Sequence, residues 1–214
     1  MTPHYFNALP IASEQTNFIA TPEEIKELLK LQYETKVKNT RVTLCYDILD
    51  LPQFQRIKHF ILSKIWDYKE NILGISDKLV LTRSWATINE KGVGHGFHNH
   101  PNALFSLVYY VDCDPKSGDF FITLPYSRLQ DGYSFDYKIL NNNVFNSKSL
   151  GIQTAPGSIV IFPGHLEHHA SVHESDKDRL IVGANFFIDG HLGGGGYDEI
   201  DLKIIKTDPI FWGK

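Results

Sequence analysis

The sequence has few of the features that mark secreted, membrane or nucleic-acid-binding proteins. Its 214 residues include only two cysteines, Cys45 and Cys113, which are too few for a disulfide framework and are expected to be reduced thiols. There is no signal-peptide pattern, and the longest apolar runs fall far short of a membrane span. The net charge of −4 and the lack of a Lys/Arg block argue against a nucleic-acid partner. We therefore expect a cytoplasmic protein with no membrane contact.

What the chain does contain is typical of an ordinary globular protein. Hydrophobic residues make up 42% of the sequence and charged residues 21%, and a chain of this length can bury about two-thirds of its unfolded surface. We expect a single domain over residues 1–214. The residue patterns predict supporting helices over 20–75 and a β-rich core over 78–205.

The helical part carries two amphipathic patterns. The first begins with Thr21 as N-cap, Pro22 at the first helical position and Glu24 completing a capping box. Its apolar residues extend at helical spacing as far as Tyr33. The second pattern, in "LPQFQRIKHFILSKIWDYKENI", has one apolar stripe that is expected to pack on a sheet. The stripe comprises Phe54, Ile57, Phe60, Ile61, Ile65 and Tyr68.

Beyond residue 78 the sequence consists of short β-rich runs broken by Gly, Pro and Asn. Seven or eight such runs indicate an antiparallel sandwich or barrel. The weakly patterned segment 126–150 is long for a plain connection, and long loops in compact domains often form lids. Its aromatic residues either form a substrate lid or cover the barrel edge. The candidate lid residues are Tyr133, Phe135 and Tyr137.

Seven of the ten histidines lie in two short windows, "GHGFHNHPN" and "GHLEHHASVHE". In a strand, residues i and i+2 share a face, so His98 and His100 can bind one ion together. His95 lies between two glycines and is expected in a flexible approach loop. In the second window, His168 and His169 would face opposite ways, so at most one of them is expected to bind the same ion.

Two ligands close together and a third on a distant strand are typical of a jelly-roll metal centre. A histidine-rich centre with open coordination positions suits non-haem Fe(II) and oxygen chemistry. Arg179 begins the apolar run "RLIVGANFF" after the second window. This arginine is either a solvated strand end or an inward cation that binds an acidic co-substrate.

The order of "HNHP", "SLVYYVDCDPKSGDFF" and "PGSIVIFPGHLEHHASVHESDKDRLIVGANFF" resembles the 2-oxoglutarate- and Fe(II)-dependent oxygenases. Within that superfamily it is most similar to a small bacterial and phage branch related to prolyl 4-hydroxylases. The resemblance covers roughly residues 83–188. It implies a double-stranded β-helix, or jelly-roll, core, so the expected fold class is mainly β with N-terminal helices.

The resemblance also implies roles for individual residues. His98 matches the first iron ligand and His168 matches the distal one. Arg179 matches the residue that binds the far carboxylate of 2-oxoglutarate, and Tyr110 matches a tyrosine near the same carboxylate. His100 departs from the pattern, because it stands where the superfamily has the aspartate of an HxD motif.

The predicted metal ligands are therefore His98, His100 and His168, with a carboxylate such as Asp112 or Asp114 as the alternative to His100. An imidazole must be neutral to bind a metal. With an ordinary pKa of about 6.5, these ligands predict an iron affinity that falls below about pH 6.

The implied activity is that of a dioxygenase that uses Fe(II), 2-oxoglutarate and O2, hydroxylates a substrate and releases succinate and CO2. The substrate is left open between a peptide or protein side chain and a small metabolite. One alternative is a cupin-type dioxygenase or isomerase with three histidine ligands, in which Arg179 has no role. Another is a non-catalytic jelly-roll binding module, which has no need for His98, His168 and Arg179 together.

Overall fold

The computed structural model describes residues 9–37, 39–123, 138–143, 146–147, 149–193 and 196–206. The candidate lid residues Tyr133, Phe135 and Tyr137 lie outside this set. Short 3₁₀ turns at Ile48–Asp50 and Pro52–Phe54 precede the second helix, and a π-helical turn follows it at Tyr68–Ile72. The elements in chain order are β1 (Ala12–Gln15), α1 (Pro22–Leu29), β2 (Tyr33–Val37), β3 (Thr40–Thr43), α2 (Gln55–Asp67), β4 (Leu79–Asn89), β5 (His95–His98), β6 (Phe105–Asp112), β7 (Phe120–Thr123), β8 (Ser149–Ile152), β9 (Ser158–Pro163), β10 (His168–Ala170), β11 (Arg179–Ile188), β12 (Gly190–Leu192) and β13 (Ile200–Leu202).

Two antiparallel sheets build the molecule. The larger has the order β1-β9-β6-β11-β4-β3-β2, and the smaller has the order β5-β10-β7-β8. Consecutive strands from β4 to β11 alternate between the sheets, except that β7 and β8 pair as neighbours. This arrangement is a jelly roll, which confirms the predicted fold class. A short β12-β13 pair lies near the C-terminus.

Strand β6 shows how the two cores are divided. All but the last of its residues are buried, because both faces of the strand are covered. Leu107 and Tyr109 face the helical side, where they join the main apolar cluster. Val108 and Tyr110 face the smaller sheet and join a second cluster with Phe120 of β7. This second cluster lies beside the candidate site.

The helices form for the reasons that the sequence indicates. The Thr21 hydroxyl accepts a hydrogen bond from the Glu24 N–H at 3.2 Å, and the Glu24 carboxylate accepts one from the Thr21 N–H at 2.8 Å, so the predicted capping box is confirmed. The stripe of the second pattern packs into the main core through α2, as expected. Its members in that core are Phe54, Ile57, Ile61, Ile65 and Tyr68, with Phe60 partly buried against them.

The region 20–75 also contains two strands that its helical residue patterns do not predict. Helix α1 ends at Leu29, and Tyr33, which continues the apolar spacing of the helix, begins β2 instead. The Tyr33 hydroxyl donates to the Leu28 carbonyl at 2.9 Å, which also accepts from the Leu31 N–H at 3.1 Å, so the start of β2 is joined to the helix end. Strands β2 and β3 extend the large sheet beyond β4 and form one wall of the site.

Candidate metal centre

The antiparallel pairing of β5 with β10 places His98 directly opposite His168. Their ring centroids are 4.1 Å apart. His100 follows β5 in a turn, where its N–H donates to the Gly164 carbonyl at 2.8 Å. One possible ligand atom from each of His98, His100 and His168 lies within 4.8 Å of those of the other two. The structure thus brings together the three histidines that the sequence predicts as metal ligands.

Backbone carbonyls orient two of these rings. The Nδ1 atom of His98 lies 2.8 Å from the Gly96 carbonyl oxygen, and the Nδ1 atom of His168 lies 3.1 Å from the Leu166 carbonyl oxygen. A carbonyl can only accept, so each Nδ1 carries the proton and each Nε2 keeps a free lone pair. This is the arrangement that a metal-binding imidazole requires.

Burial keeps the three imidazoles neutral. It lowers the pKa of His168 to about 3 and that of His100 to about 4, and the neighbouring histidines lower both further. The pKa of His98 is also lowered by burial. Neutral imidazoles at metal-binding distance are a donor set that fits Fe(II).

The two aspartates considered as alternatives to His100 are engaged elsewhere. Asp112 forms an ion pair with Lys177 at 2.5 Å. Asp114 accepts hydrogen bonds from Ser175 and from the N–H of Lys116. Among the described residues, the group that could hold a metal contains three histidines and no carboxylate. The geometry therefore favours His100 over either aspartate.

The lowered pKa values change the expected pH dependence of metal binding. In an exposed imidazole with a pKa of about 6.5, the protonated form outnumbers the neutral form by about ten to one at pH 5.5. A site with three such ligands would therefore lose roughly a thousand-fold in metal affinity at that pH. With folded-state pKa values of about 3 and 4 for His168 and His100, and with the pKa of His98 also lowered, we expect Fe(II) affinity to fall much less than thousand-fold between pH 7.5 and 5.5. Anaerobic titration at both pH values measures this. A steep loss by pH 5.5 would show that the site is more solvated than the structure indicates.

Arg179 lies in a cavity beside the histidines. It is 1% exposed, and no described residue forms an ion pair with it. Its guanidinium donates to the Ser117 carbonyl at 2.8 Å and to the Asn89 Oδ1 atom at 3.1 Å, and its buried Nε has no hydrogen-bond partner among the described residues. Burial lowers the pKa of Arg179, but a guanidinium still stays charged at neutral pH. A buried cation with free donors is a binding group for an anion.

Two hydroxyl groups line the same cavity. Burial raises the pKa of Tyr110 to about 12, so its hydroxyl remains protonated and can donate to an anion. Thr87, on β4, has a buried Oγ1 atom that forms no hydrogen bond within the part of the chain that the structure describes. A buried hydroxyl without a partner costs free energy unless a ligand satisfies it.

The remaining histidines of the two windows take different positions. His169 faces away from His168 and packs between Phe97 and Phe121, with ring centroids 4.1 and 5.1 Å away. The predicted opposition of His168 and His169 is thus confirmed. His95 does not lie in a loop but begins β5, and its ring centroid is 4.5 Å from that of His98.

An open groove of about 460 Å³ also reaches the histidines, from the side of β2 and β3. Trp85 lines both this groove and the cavity beside Arg179, as do Thr87 and His98. Trp85 packs against Gly183 of β11, where a Cβ atom would lie 2.5 Å from the indole ring. The groove combines aromatic, aliphatic and cationic side chains. Its lining includes Lys36, Val37, Thr40, Val42, Tyr46, Arg83, Trp85 and Phe97.

Sequence reasoning missed the contribution of β4. Its alternate residues Arg83, Trp85, Thr87 and Asn89 share one face of the strand, and all four line the groove or cavity or contact Arg179. A signal was present, because polar and aromatic residues alternate along an otherwise apolar strand. This pattern predicts a role in the site only once the pairing of β4 with β11 is known.

The sequence and the fold were compared with those of known proteins. The family described as "Putative 2OG-Fe(II) oxygenase" matches residues 83–185. Similar structures include a 2OG-Fe(II) oxygenase family oxidoreductase from Burkholderia pseudomallei, with 14% identity, a TM-score of 0.55, and coverage of 77% of this chain and 76% of that one. A prolyl 4-hydroxylase from Pseudomonas putida has 9% identity, a TM-score of 0.52, and coverage of 83% and 92%.

HygX from Streptomyces hygroscopicus, with nickel and 2-oxoglutarate bound, has 13% identity, a TM-score of 0.55, and coverage of 83% of this chain and 82% of that one. No curated protein sequence matches the chain. No helix among the described residues is long and apolar enough to cross a membrane. Residues 83–185, which contain all the predicted metal and co-substrate residues, match the 2OG-Fe(II) oxygenase family in sequence, and the fold of the protein is similar to those of solved 2-oxoglutarate- and Fe(II)-dependent oxygenases.

Proposed function

We propose that this oxygenase holds Fe(II) through His98, His100 and His168, binds 2-oxoglutarate through Arg179 and Tyr110, and hydroxylates a substrate in the open groove. One observation carries the proposal. Three neutral imidazoles at metal-binding distance share a cavity with a buried guanidinium that has no carboxylate partner among the described residues. Neither the cupin-type alternative nor a binding module needs that combination.

The donor set fits the metal but differs in charge from a site with two histidines and a carboxylate. With His100 in place of an aspartate, the protein ligands contribute no negative charge. When bound, Fe(II) and 2-oxoglutarate supply the oxidising chemistry, in which O2 is consumed, one oxygen atom enters a substrate C–H bond, and 2-oxoglutarate becomes succinate and CO2.

The protein residues bind and orient the co-substrate. We infer that the free donors of Arg179 bind the distal carboxylate of 2-oxoglutarate and that the Tyr110 hydroxyl donates to the same group. The Thr87 hydroxyl, which has no partner in the described ranges, is a further donor within the cavity. Val108, Phe120 and Ile181 also line the cavity and make its wall apolar. In such a medium the attraction between the guanidinium and a carboxylate is stronger than in water.

The primary substrate is assigned to the open groove because His98 and His100 line it. Its volume of about 460 Å³ suits a small metabolite or one side chain of a peptide. Trp85, Tyr46 and Phe97 offer an apolar surface, while Lys36 and Arg83 offer cationic groups. The cytoplasmic location expected from the sequence stays a prediction.

The test is 2-oxoglutarate binding to the anaerobic Fe(II)-loaded protein, followed by the metal-to-ligand charge-transfer absorption. We expect the wild type to show this band. His100→Ala is expected to lower Fe(II) affinity by at least about ten-fold, since it removes one ligand and about 1.4 kcal/mol or more of binding free energy. His100→Asp is expected to keep the band at a shifted energy, because a carboxylate also binds Fe(II). A wild-type protein that binds metal but shows no band with 2-oxoglutarate would favour the cupin-type alternative.

A further inference from the structure

Arg179 is held by a chain of buried polar side chains that crosses three neighbouring strands. Arg179 lies opposite Asn89 of β4, and Asn89 lies opposite Thr40 of β3. One terminal nitrogen of Arg179 donates to the Asn89 Oδ1 atom at 3.1 Å, and the Asn89 amide nitrogen donates to the Thr40 hydroxyl oxygen at 3.0 Å. The three side chains are 1%, 0% and 2% exposed, so water does not compete for these bonds.

The chemistry of the partners determines how the Asn89 amide is oriented. A guanidinium has only donors, so Asn89 has to present its carbonyl oxygen to Arg179, and its NH2 group then faces Thr40. The other terminal nitrogen of Arg179 donates to the Ser117 carbonyl at 2.8 Å. Two acceptors on separate elements thereby define the guanidinium plane. The direction of the free N–H groups, including the unpartnered Nε, follows from that plane.

Thr40, at the other end of this series of hydrogen-bonded side chains, lies in a different part of the molecule. Thr40 lies on β3 and lines the open groove, together with Lys36 and Val37 of β2. The link between the β2–β3 hairpin and β4 is short, because β3 pairs with β4 only over Thr40–Val42. The hydrogen bond to Asn89 therefore joins the groove wall to the residue that orients Arg179.

We propose that Asn89 is a positioning residue for the 2-oxo acid co-substrate and that Thr40 connects Asn89, through a hydrogen bond, to the groove wall. The inference rests on the proposed role of Arg179 as the partner of the distal carboxylate. Asn89 does not touch the ligand. It acts by keeping the guanidinium in the plane that a bidentate bond to a carboxylate requires.

The experiment compares two ligands on the anaerobic Fe(II)-loaded protein. 2-Oxoglutarate has a distal carboxylate, whereas pyruvate has the same 2-oxo acid group without it. Asn89→Leu removes the acceptor at similar volume, and Thr40→Val removes the hydroxyl at the far end while leaving Asn89 in place. Ser106→Ala is the matched control, because Ser106 is equally buried in the same sheet and loses one side-chain hydrogen bond, to Asn185, away from Arg179.

We expect Asn89→Leu to raise the Kd of 2-oxoglutarate by about ten-fold, the loss that follows when a charged group loses one hydrogen bond. The Kd of pyruvate is expected to stay within about two-fold of the wild-type value. Thr40→Val is expected to cause a smaller change, of about three-fold, with the same selectivity for 2-oxoglutarate. Ser106→Ala is expected to change neither constant.

The outcomes separate this inference from the function on which it rests. If 2-oxoglutarate binds and requires Arg179, but Asn89→Leu and Thr40→Val leave its Kd unchanged, the positioning role is wrong and the proposed function stands. Equal weakening of both ligands means that Asn89 is only structural. If 2-oxoglutarate does not bind the wild type at all, both proposals fail. Thr40→Val alone decides the matter if Asn89→Leu does not fold.

Discussion

Replacement of His168 by alanine is expected to abolish Fe(II) binding at micromolar metal. His168 is 3% exposed, and its ring is within 5.1 Å of both other candidate ligand rings, measured between centroids. The variant leaves only two imidazoles, and no described carboxylate lies close enough to take its place. We expect affinity to fall by at least about 100-fold, which corresponds to about 2.7 kcal/mol. Anaerobic titration with Fe(II) measures this loss.

The neighbouring residue provides the control. His169 lies on the same short strand, but its ring faces the opposite side of the sheet and packs on Phe97 and Phe121. His169→Ala is expected to lower stability through lost packing while Fe(II) affinity stays near the wild-type value. A loss of metal in His169→Ala that equals the loss in His168→Ala would mean that strand integrity, rather than direct ligation, governs the site.

Replacement of Arg179 by methionine is expected to remove the stabilisation that 2-oxoglutarate confers on the Fe(II)-loaded protein. A ligand at 100 times its Kd stabilises the folded state by about 2.7 kcal/mol, which raises the Tm of a protein of this size by several degrees. Methionine fills most of the volume but offers no donor to a carboxylate. Loss of a buried, hydrogen-bonded charge pair costs about 2–5 kcal/mol, so the Kd is expected to rise by 30-fold or more. Thermal unfolding with and without 2-oxoglutarate measures the effect.

Arg179→Met also has an expected effect that a purely structural arginine would not have. The cation of the ligand-free protein is buried with no carboxylate partner among the residues that the structure describes, and such a charge is costly. Its removal is therefore expected to cost the ligand-free protein less stability than its two lost hydrogen bonds imply. Arg41→Met is the control, since Arg41 pairs with Glu90 and Asp178 outside the cavity. An unchanged 2-oxoglutarate shift in Arg179→Met would exclude Arg179 as the co-substrate residue.

The sequence by itself determined the features that depend on neighbours along the chain. The capping box at Thr21 and Glu24 needs only residues three positions apart, and the apolar stripe of α2 needs only helical periodicity. The opposite orientations of His168 and His169 follow from the two-residue repeat of a strand. These interactions are local, so the order of residues is sufficient to predict them. The clustering of histidines predicted that the two windows share one ion, and the family resemblance assigned His98 and His168 as its ligands.

Only the tertiary structure decided which distant residues meet and in what register. His98 lies opposite His168 because β5 pairs with β10, and a shift of one residue would turn either side chain to the other face. Tyr33 continues the helical spacing but lies in β2, where it pairs with Thr43 and its hydroxyl donates to the Leu28 carbonyl. The hydrogen bonds from Thr40 through Asn89 to Arg179 join three strands that are far apart in the sequence. No local pattern encodes such contacts, because the strand pairing that creates them depends on the packing of the whole core.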